Sequence, residues 1–203
     1  MTSLPVNSPD YWDATYQREL SEGRTRRHEH VWRALLNHIP SKGLVADIGC
    51  GTGEFLRWLR SQRPAQRLLG VDHSPFAISE AEGQERVATA ETPGRMQIDF
   101  TVGDALDLRL RPGSVSCAYA GHLLEHLVSP VAALREMRRS LRRGGLMIVH
   151  FPHQDEPYVE HVQSDLTTGK VMGWLEDAGF MLAGHSDVFP GQPTNDAYVW
   201  GRK

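Results

Sequence analysis

The stretch VADIGCGTGEF, residues 45–55, joins a short apolar run that favours a β-strand to a glycine-rich turn and the start of a helix. Gly49, Gly51 and Gly53 have no Cβ atom, so the chain can turn sharply there and a ligand can approach the backbone closely. A strand, a glycine turn and a helix in this order bind nucleotides in open α/β sheets. The stretch therefore predicts an α/β fold with a nucleotide-like ligand at the end of its first strand.

The spacing of the glycines indicates which nucleotide is bound. The dinucleotide fingerprint is G-x-G-x-x-G, which would require glycine at position 54, whereas the chain has Glu54. A carboxylate at the start of a helix repels a phosphate, but it is harmless beside a sulfonium ligand whose amino-acid end carries an ammonium group. The turn therefore favours S-adenosylmethionine (SAM) over NAD.

Short β-prone runs alternate with helical segments along the rest of the chain. The predicted strands are residues 44–48, 68–71, 98–102, 115–119, 146–151, 181–188 and 197–200. The predicted helices are residues 11–20, 27–39, 54–62, 75–90, 130–141 and 165–178. This order predicts a single α/β domain over residues 1–203 with a mostly parallel sheet, preceded within the domain by a helical lid segment, residues 1–40.

The composition argues against several classes of partner. The chain has 203 residues, of which 40% are hydrophobic, and its formal net charge of -3 gives no field that attracts nucleic-acid phosphates or anionic lipid. Cys50 and Cys117, the two cysteines, lie in apolar or glycine-rich stretches, which favours free interior thiols. No segment resembles a signal peptide or a membrane span. We therefore expect a cytoplasmic protein with a small partner and no membrane contact.

Two carboxylates follow the next predicted strands. Asp72 comes at the end of the second strand, where its oxygens can accept both hydroxyl protons of a ribose, and Asp104 follows the third, where it can accept from an adenine amino group. One acidic residue in a loop is more often a solvated charge than a ligand. Together with the glycine turn, however, they lie at successive strand ends, the edge at which open α/β sheets bind ligands.

These features resemble the class I SAM-dependent methyltransferases, in particular a compact group whose first motif is D-x-G-C-G-x-G, here residues 47–53. The likeness extends over residues 11–200. Further segments are similar to motifs of this family in the same order: residues 70–75 (GVDHSP), 124–127 (LEHL), 141–145 (LRRGG) and 177–180 (DAGF). One departure is Arg143, where the family commonly has proline.

The resemblance implies a Rossmann-like three-layer sandwich with a seven-stranded, mostly parallel sheet whose last strand is antiparallel. It implies that residues 49–53, including Cys50, hold the methionine part of SAM, that Asp72 holds the ribose, and that the adenine lies near Asp104 and Ala105. We also assign His73 and Gly121 to the cofactor site. Tyr16 resembles an aromatic residue of the N-terminal segment that closes over the cofactor in this family, although packing into the core is an equal alternative.

Residues 122–126, HLLEH, match the H-x-x-E-H signature of zinc peptidases. In those enzymes the two histidines lie one helical turn apart and bind zinc, and the glutamate is the base. Here the segment follows directly on a predicted buried strand of a nucleotide-binding sheet, and no acidic third ligand has a motif of its own. We therefore expect no metal ion.

Methyl transfer requires the acceptor lone pair in line with the S–CH3 bond, so positioning and exclusion of water can provide most of the acceleration. A hydroxyl acceptor also needs a base, and histidine titrates in the right range. The candidates are His122, His150, His153 and His161. We predict His153, in the polar loop after the fifth strand, as the base, and His122 as a contact of cofactor or acceptor.

The acceptor is not encoded in a recognisable motif. Enzymes that methylate amino groups of DNA carry N/D-P-P-Y after the fourth strand, whereas this chain has Ala120-Gly121-His122-Leu123. We therefore expect a small-molecule acceptor with an O, N or C nucleophile. The alternative is a domain that binds SAM or its demethylated product without catalysis, as a sensor or subunit. The sequence does not indicate an oligomeric state.

Overall fold

The computed structural model describes residues 5–23, 28–92, 94–153, 161–163, 166–186 and 196–203. Its helices are α1 Pro9–Ser21, α2 Glu29–Leu35, α3 Glu54–Gln62, α4 Pro75–Glu91, α5 Pro130–Ser140 and α6 Thr168–Asp177. Its strands are β1 Leu44–Ile48, β2 Arg67–Asp72, β3 Ile98–Val102, β4 Val115–Gly121, β5 Leu141–Pro152, β6 Met181–Ser186 and β7 Asp196–Arg202. A single 3₁₀ turn, Leu124–His126, follows β4.

The strands form one seven-stranded sheet in the order β3-β2-β1-β4-β5-β7-β6. Only β7 runs against its neighbours, β5 and β6. This confirms the predicted Rossmann-like architecture. Because β1 lies between β2 and β4, the direction of the strand order reverses there, and a crevice opens above the carboxyl ends of β1 and β4.

The core lies on both faces of the sheet, which explains the near-continuous hydrophobicity of the central strands. Side chains alternate between faces along a strand: Ala46 and Ile48 pack in the layer of α5 and α6, whereas Val45 packs with α2 and α3. Both cysteines are buried and free, as predicted. Among the described residues, no helix combines the length and apolar character needed to cross a membrane.

Helix starts follow the sequence signals. The Ser74 side chain accepts a hydrogen bond of 3.0 Å from the Ala77 amide, and Pro75 occupies the first turn of α4. Ser8 accepts from the Tyr11 amide in the same way, so α1 begins at Pro9, two residues before the predicted start.

Several predicted boundaries differ from the structure by one to three residues, and two differ by more. The helix predicted over residues 27–39 ends at Leu35, because the Arg63 guanidinium donates to the carbonyls of Leu36 and Ile39, at 2.6 and 2.7 Å, and holds them out of a helix. The strand predicted from residue 146 begins at Leu141, since the segment through Gly144 pairs irregularly beside β4 and bonds to the Lys203 carbonyl. The predicted residues 27, 165 and 187–188 lie outside the described ranges.

The N-terminal helix lies at the carboxyl edge of the sheet. Trp12 of α1 is buried, and the Asp13 carboxylate accepts from the Phe76 amide at 3.1 Å and from the Ser74 hydroxyl. These bonds fix α1 against the first turn of α4, next to the crevice.

Candidate functional site

A cavity of about 540 Å³ fills the crevice above β1 and β4. It is lined by ten of the twelve residues assigned to the cofactor or to catalysis from the sequence: Tyr16, Gly49, Cys50, Gly51, Asp72, His73, Asp104, Ala105, Gly121 and His122. Gly53 and His153 are not among its lining residues, and part of the polar loop around His153 lies outside the described ranges.

The glycine turn has no room for side chains. A Cβ atom on Gly49 would lie 3.0 Å from the Leu123 side chain, and one on Gly51 would lie 3.0 Å from the Tyr16 hydroxyl; both residues have positive φ. Gly53 faces the other way, because its Cβ would lie 2.8 Å from the Phe100 ring. Gly49 and Gly51 therefore leave the backbone accessible from the cavity, and Gly53 allows α3 to approach the sheet.

Asp72, the last residue of β2, is hydrogen-bonded to the glycine turn. Its Oδ2 atom accepts from the Gly51 amide at 2.8 Å and its Oδ1 atom from the Ser74 amide at 2.9 Å. Burial raises the pKa of Asp72, and the backbone donors oppose that rise. Each oxygen of an ionised carboxylate accepts more than one hydrogen bond, so the pair can also receive two ribose hydroxyls.

The floor of the cavity is acidic. Burial raises the pKa of Asp47 well above its usual range, and the neighbouring carboxylates of Asp72 and Glu54 raise it further. A cation placed among these groups would remove that repulsion. The ammonium and sulfonium groups of SAM fit this requirement, whereas a pyrophosphate does not.

Asp104 and Ala105 line the cavity from the segment after β3. The Asp104 carboxylate accepts from the Leu106 amide at 2.8 Å, which closes a turn and leaves lone pairs for a ligand. This position relative to Asp72 is compatible with the adenine end of SAM.

Three histidines that line the cavity form a group with a carboxylate. The four residues, here called the histidine cluster, are His28 before α2, His122 after β4, His150 near the end of β5 and Asp196 at the start of β7; His150 and Asp196 are buried, and the other two are half-buried. The His28 Nδ1 atom lies 2.9 Å from Asp196 Oδ2. His150 Nδ1 lies 2.8 Å from the Tyr119 hydroxyl, which accepts from Trp32 Nε1.

The pKa values of three residues of the histidine cluster are strongly shifted. Burial and the neighbouring His122 lower the pKa of His150 to about 4. Burial also acts to lower the pKa of His122, but the carboxylates of Asp196 and Glu125 outweigh it and raise that pKa to about 9. Burial opposes ionisation of Asp196, but the three imidazoles lower its pKa below the usual range. The carboxylate of the cluster is therefore favoured in its ionised form by the imidazoles around it.

Sequence analysis identified His122 and His150 but not His28 or Asp196. The last two lie 168 residues apart in the chain and meet only because β7 inserts beside β5 and the start of α2 crosses the sheet edge. No local spacing contains that information. Asp196 comes directly before the predicted strand 197–200 and belongs to no motif.

The H-x-x-E-H segment does not form the helix that its zinc signature requires. Only Leu124–His126 is helical, as one 3₁₀ turn, and His122 has a positive φ of 51°. Glu125 lies 3.3 Å from His122, whereas the His126 ring packs on Trp12 and His161. The two histidines therefore do not share a helix face.

Comparison with known proteins identifies the family. A family model described as a methyltransferase domain matches residues 46–149, which is 104 of the 203 residues. An uncharacterised 37.1 kDa protein from transposon Tn4556 of Streptomyces fradiae is 31% identical over 175 residues, covering 77% of this chain and 48% of that protein. A trans-aconitate 2-methyltransferase of Methylobacterium nodulans is 28% identical over 147 residues, covering 72% and 52%.

The fold is also similar to solved structures. A chain from the complex between the Haloferax volcanii Trm112 methyltransferase activator and a methyltransferase has a TM-score of 0.75 at 21% identity, covering 98% of this chain and 99% of that chain. The chain spans about half the length of the curated relatives described above. The chain belongs to the methyltransferase-domain family.

Proposed function

We propose that this domain transfers the methyl group of SAM to a small-molecule acceptor. The observation that carries the proposal is that the glycine turn, Asp72 and His122 line one cavity. A donor site and polar groups able to face an acceptor thus line the same cavity. That arrangement is what direct displacement requires, because donor and acceptor must meet in line.

The part of the cavity lined by the glycine turn, Asp47, Asp72 and Asp104 is here called the donor half, and each of its residues has a separate task. The bare backbone of Gly49 and Gly51 accommodates the amino-acid end, and the acidic floor around Asp47 attracts its ammonium group. Asp72 binds the ribose hydroxyls, and Asp104 accepts from the adenine. These residues would hold the cofactor in the cavity that Gly121 and His122 also line.

In the acceptor half, SAM supplies the electrophilic methyl group, and the protein orients the nucleophile and excludes water. Tyr16 and Trp12 of α1 line the cavity and provide an apolar cover. His122 faces the acceptor. His153 remains a predicted base that the polar loop would have to bring to the site.

The charge of the cavity indicates the class of acceptor. Among the described residues, no lysine or arginine lines it, whereas five carboxylates do: Glu19, Asp47, Glu54, Asp72 and Asp104. A phosphate backbone would be repelled by these carboxylates and would find no lysine or arginine to bind among the described lining residues. The aromatic and aliphatic side chains instead favour a small neutral or cationic acceptor with apolar surface.

Two measurements test the proposal in sequence. Isothermal titration with SAM tests binding, and incubation with methyl-labelled SAM and a fractionated metabolite extract tests transfer. We expect saturable binding and label in a small-molecule fraction. Tight binding without label in any small-molecule, RNA or protein fraction would contradict the enzyme and favour the sensor alternative. Label in RNA or protein would contradict the small acceptor.

A further inference from the structure

The histidine cluster has the dimensions of a metal site. One ligand atom from each of its four residues lies within 4.8 Å of all the others. His122 Nε2 lies 3.3 Å from Asp196 Oδ1, and His150 Nε2 lies 3.5 Å from Asp196 Oδ2. Zinc bonds of 2.0–2.2 Å in a tetrahedron place neighbouring ligands about 3.3 Å apart. The observed spacings therefore need only small adjustments.

The two strand-end histidines present unsatisfied nitrogens to this centre. His122 Nε2 and His150 Nε2 are buried and make no hydrogen bond within the described part of the chain, although each faces Asp196. A buried polar atom without a partner costs about 1–3 kcal/mol. His150 is 1% exposed, so bulk water does not satisfy it. An ion bound between these nitrogens and Asp196 would give both nitrogens a partner.

We propose that His28, His122, His150 and Asp196 bind a divalent transition-metal ion of the zinc class. Three imidazole nitrogens and one carboxylate oxygen match the ligand preferences of zinc, cobalt and related ions, whereas magnesium and calcium prefer oxygen ligands. No ligand would come from the 3₁₀ turn that replaces the H-x-x-E-H helix. The site thus differs from the zinc site considered from the sequence, with which it shares only His122.

The groups behind the ligands are arranged as in metal centres. Ligating histidines usually direct their second ring nitrogen to a carboxylate or another polar group, which fixes the tautomer. His122 Nδ1 lies 3.3 Å from Glu125 Oε1, and His150 Nδ1 lies 2.8 Å from the Tyr119 hydroxyl. Both histidines can therefore keep the proton on Nδ1 and turn the Nε2 lone pair towards Asp196.

The backbone supports the three ligands that come from strands. The His122 amide donates to the His150 carbonyl at 2.9 Å, and Pro152 of β5 pairs with Asp196 of β7. Only His28 belongs to the N-terminal helical segment. A metal ion would therefore link that segment to the ends of β4, β5 and β7.

The ion would face the same cavity as SAM, since His28, His122 and His150 all line it. An ion there that takes a fifth ligand can bind an acceptor oxygen or nitrogen and favour its deprotonated form. This role rests on the proposed function. Occupancy of the site does not, and it can be measured without SAM.

Metal titration of the full chain tests the site directly. Protein freed of metal by a chelator is titrated with Zn²⁺ and, separately, with Co²⁺, whose visible spectrum reports coordination. We expect stoichiometric binding of both ions and the intense bands of four- or five-coordinate cobalt. X-ray absorption of the zinc form should show three imidazole ligands. Absence of stoichiometric binding to folded protein, or fewer than three imidazoles, would overturn the proposal.

Variants locate the ion. Asp196→Asn removes the central carboxylate, and His150→Asn keeps an amide near Tyr119 but removes Nε2; each is expected to weaken zinc binding at least about 10-fold. The matched control is His161→Asn, which changes a second group of possible ligands, Glu125, His126 and His161. Zinc binding lost in the control but retained in Asp196→Asn would refute the assignment.

The outcomes separate this inference from the proposed function. SAM titration and the labelled-methyl assay are repeated with and without zinc. Zinc binding without methyl transfer in either condition supports the metal site and counts against the enzyme. Methyl transfer by a protein that binds no zinc supports the enzyme and refutes the metal site.

Discussion

The Oδ2 atom of Asp72 accepts a hydrogen bond of 2.8 Å from the backbone amide of Gly51, which joins the tip of β2 to the glycine turn after β1. The two parts of the donor half are therefore one unit rather than two independent contacts. A change in the carboxylate should disturb both the ribose contact and the shape of the turn.

The first prediction concerns this carboxylate. Asp72→Asn replaces one carboxylate oxygen by an NH2 group, which cannot accept a hydrogen bond from a ribose hydroxyl or from a backbone amide. SAM binding should therefore weaken about 10- to 100-fold, corresponding to the loss of a hydrogen bond to a charged group. Titration calorimetry measures the change. Asp107→Asn, at an exposed surface pair with Arg109, is the control and should leave affinity unchanged. Equal affinities of wild type and Asp72→Asn would exclude the ribose role.

The second prediction distinguishes two reasons for glycine in the turn: the lack of space for a Cβ atom and the positive φ. Gly51→Ala places a Cβ atom against Tyr16 at a residue with positive φ. Gly113→Ala places one in open space, also at a residue with positive φ. Both should lose about 1–2 kcal/mol of stability through the left-handed conformation. Only Gly51→Ala should also lose SAM affinity. Similar SAM affinities for the two variants would show that the turn does not contact the ligand.

The third prediction concerns a buried ion pair between α3 and α4. Arg60 and Glu85 are buried and paired, and Glu85 also accepts from the Ile98 amide at the start of β3. Arg60→Met leaves a buried carboxylate without its cation, so unfolding free energy should fall by about 3–5 kcal/mol. Urea denaturation measures it. Arg86→Ala, in an exposed pair with Glu82, should cost no more than about 1 kcal/mol, and equal losses would contradict the role of burial.

The fourth prediction follows from the acidic floor. The pKa of Asp47 is raised in the folded chain, chiefly by burial, so the folded state holds that proton more tightly than the unfolded state. The stabilisation from this group is complete below the unfolded pKa and is lost as pH rises through the folded pKa. Asp47→Asn should therefore unfold at a higher temperature than wild type at neutral pH, with a smaller difference in acid. Parallel pH profiles of the two proteins would contradict this.

The fifth prediction concerns the histidines. His122→Ala should reduce turnover at least about 100-fold while SAM affinity changes little, because we propose that His122 contacts the acceptor. His153→Ala should likewise reduce turnover far more than SAM binding if His153 is the base. His185→Ala, on an exposed position of β6, is the control. Unchanged turnover removes the corresponding residue from the catalytic proposal.

The sequence predicted the fold well where local signals agree. The bounds of β1, α3 and β3 match the prediction, because an apolar run, the glycine turn and helical spacing all mark them. The end of α2 was wrong, since it depends on the Arg63 guanidinium, which comes from the end of α3. Tertiary hydrogen bonds of this kind leave no local pattern.

The site was predictable in one half only. The donor half consists of short motifs at successive strand ends, so Gly49, Asp72 and Asp104 could be identified and do line one cavity. The histidine cluster depends on the antiparallel insertion of β7 between β5 and β6, which brings Asp196 beside His150. Long-range pairing of this sort cannot be derived from the spacing of one sequence.

A crystal structure with S-adenosylhomocysteine tests the central claim most directly. We predict that its amino-acid end lies on the backbone of Gly49 and Gly51, that both ribose hydroxyls lie within hydrogen-bonding distance of Asp72, and that its sulfur faces His122. A nucleoside bound elsewhere, or a cavity that stays closed to it at saturating concentration, would contradict the account.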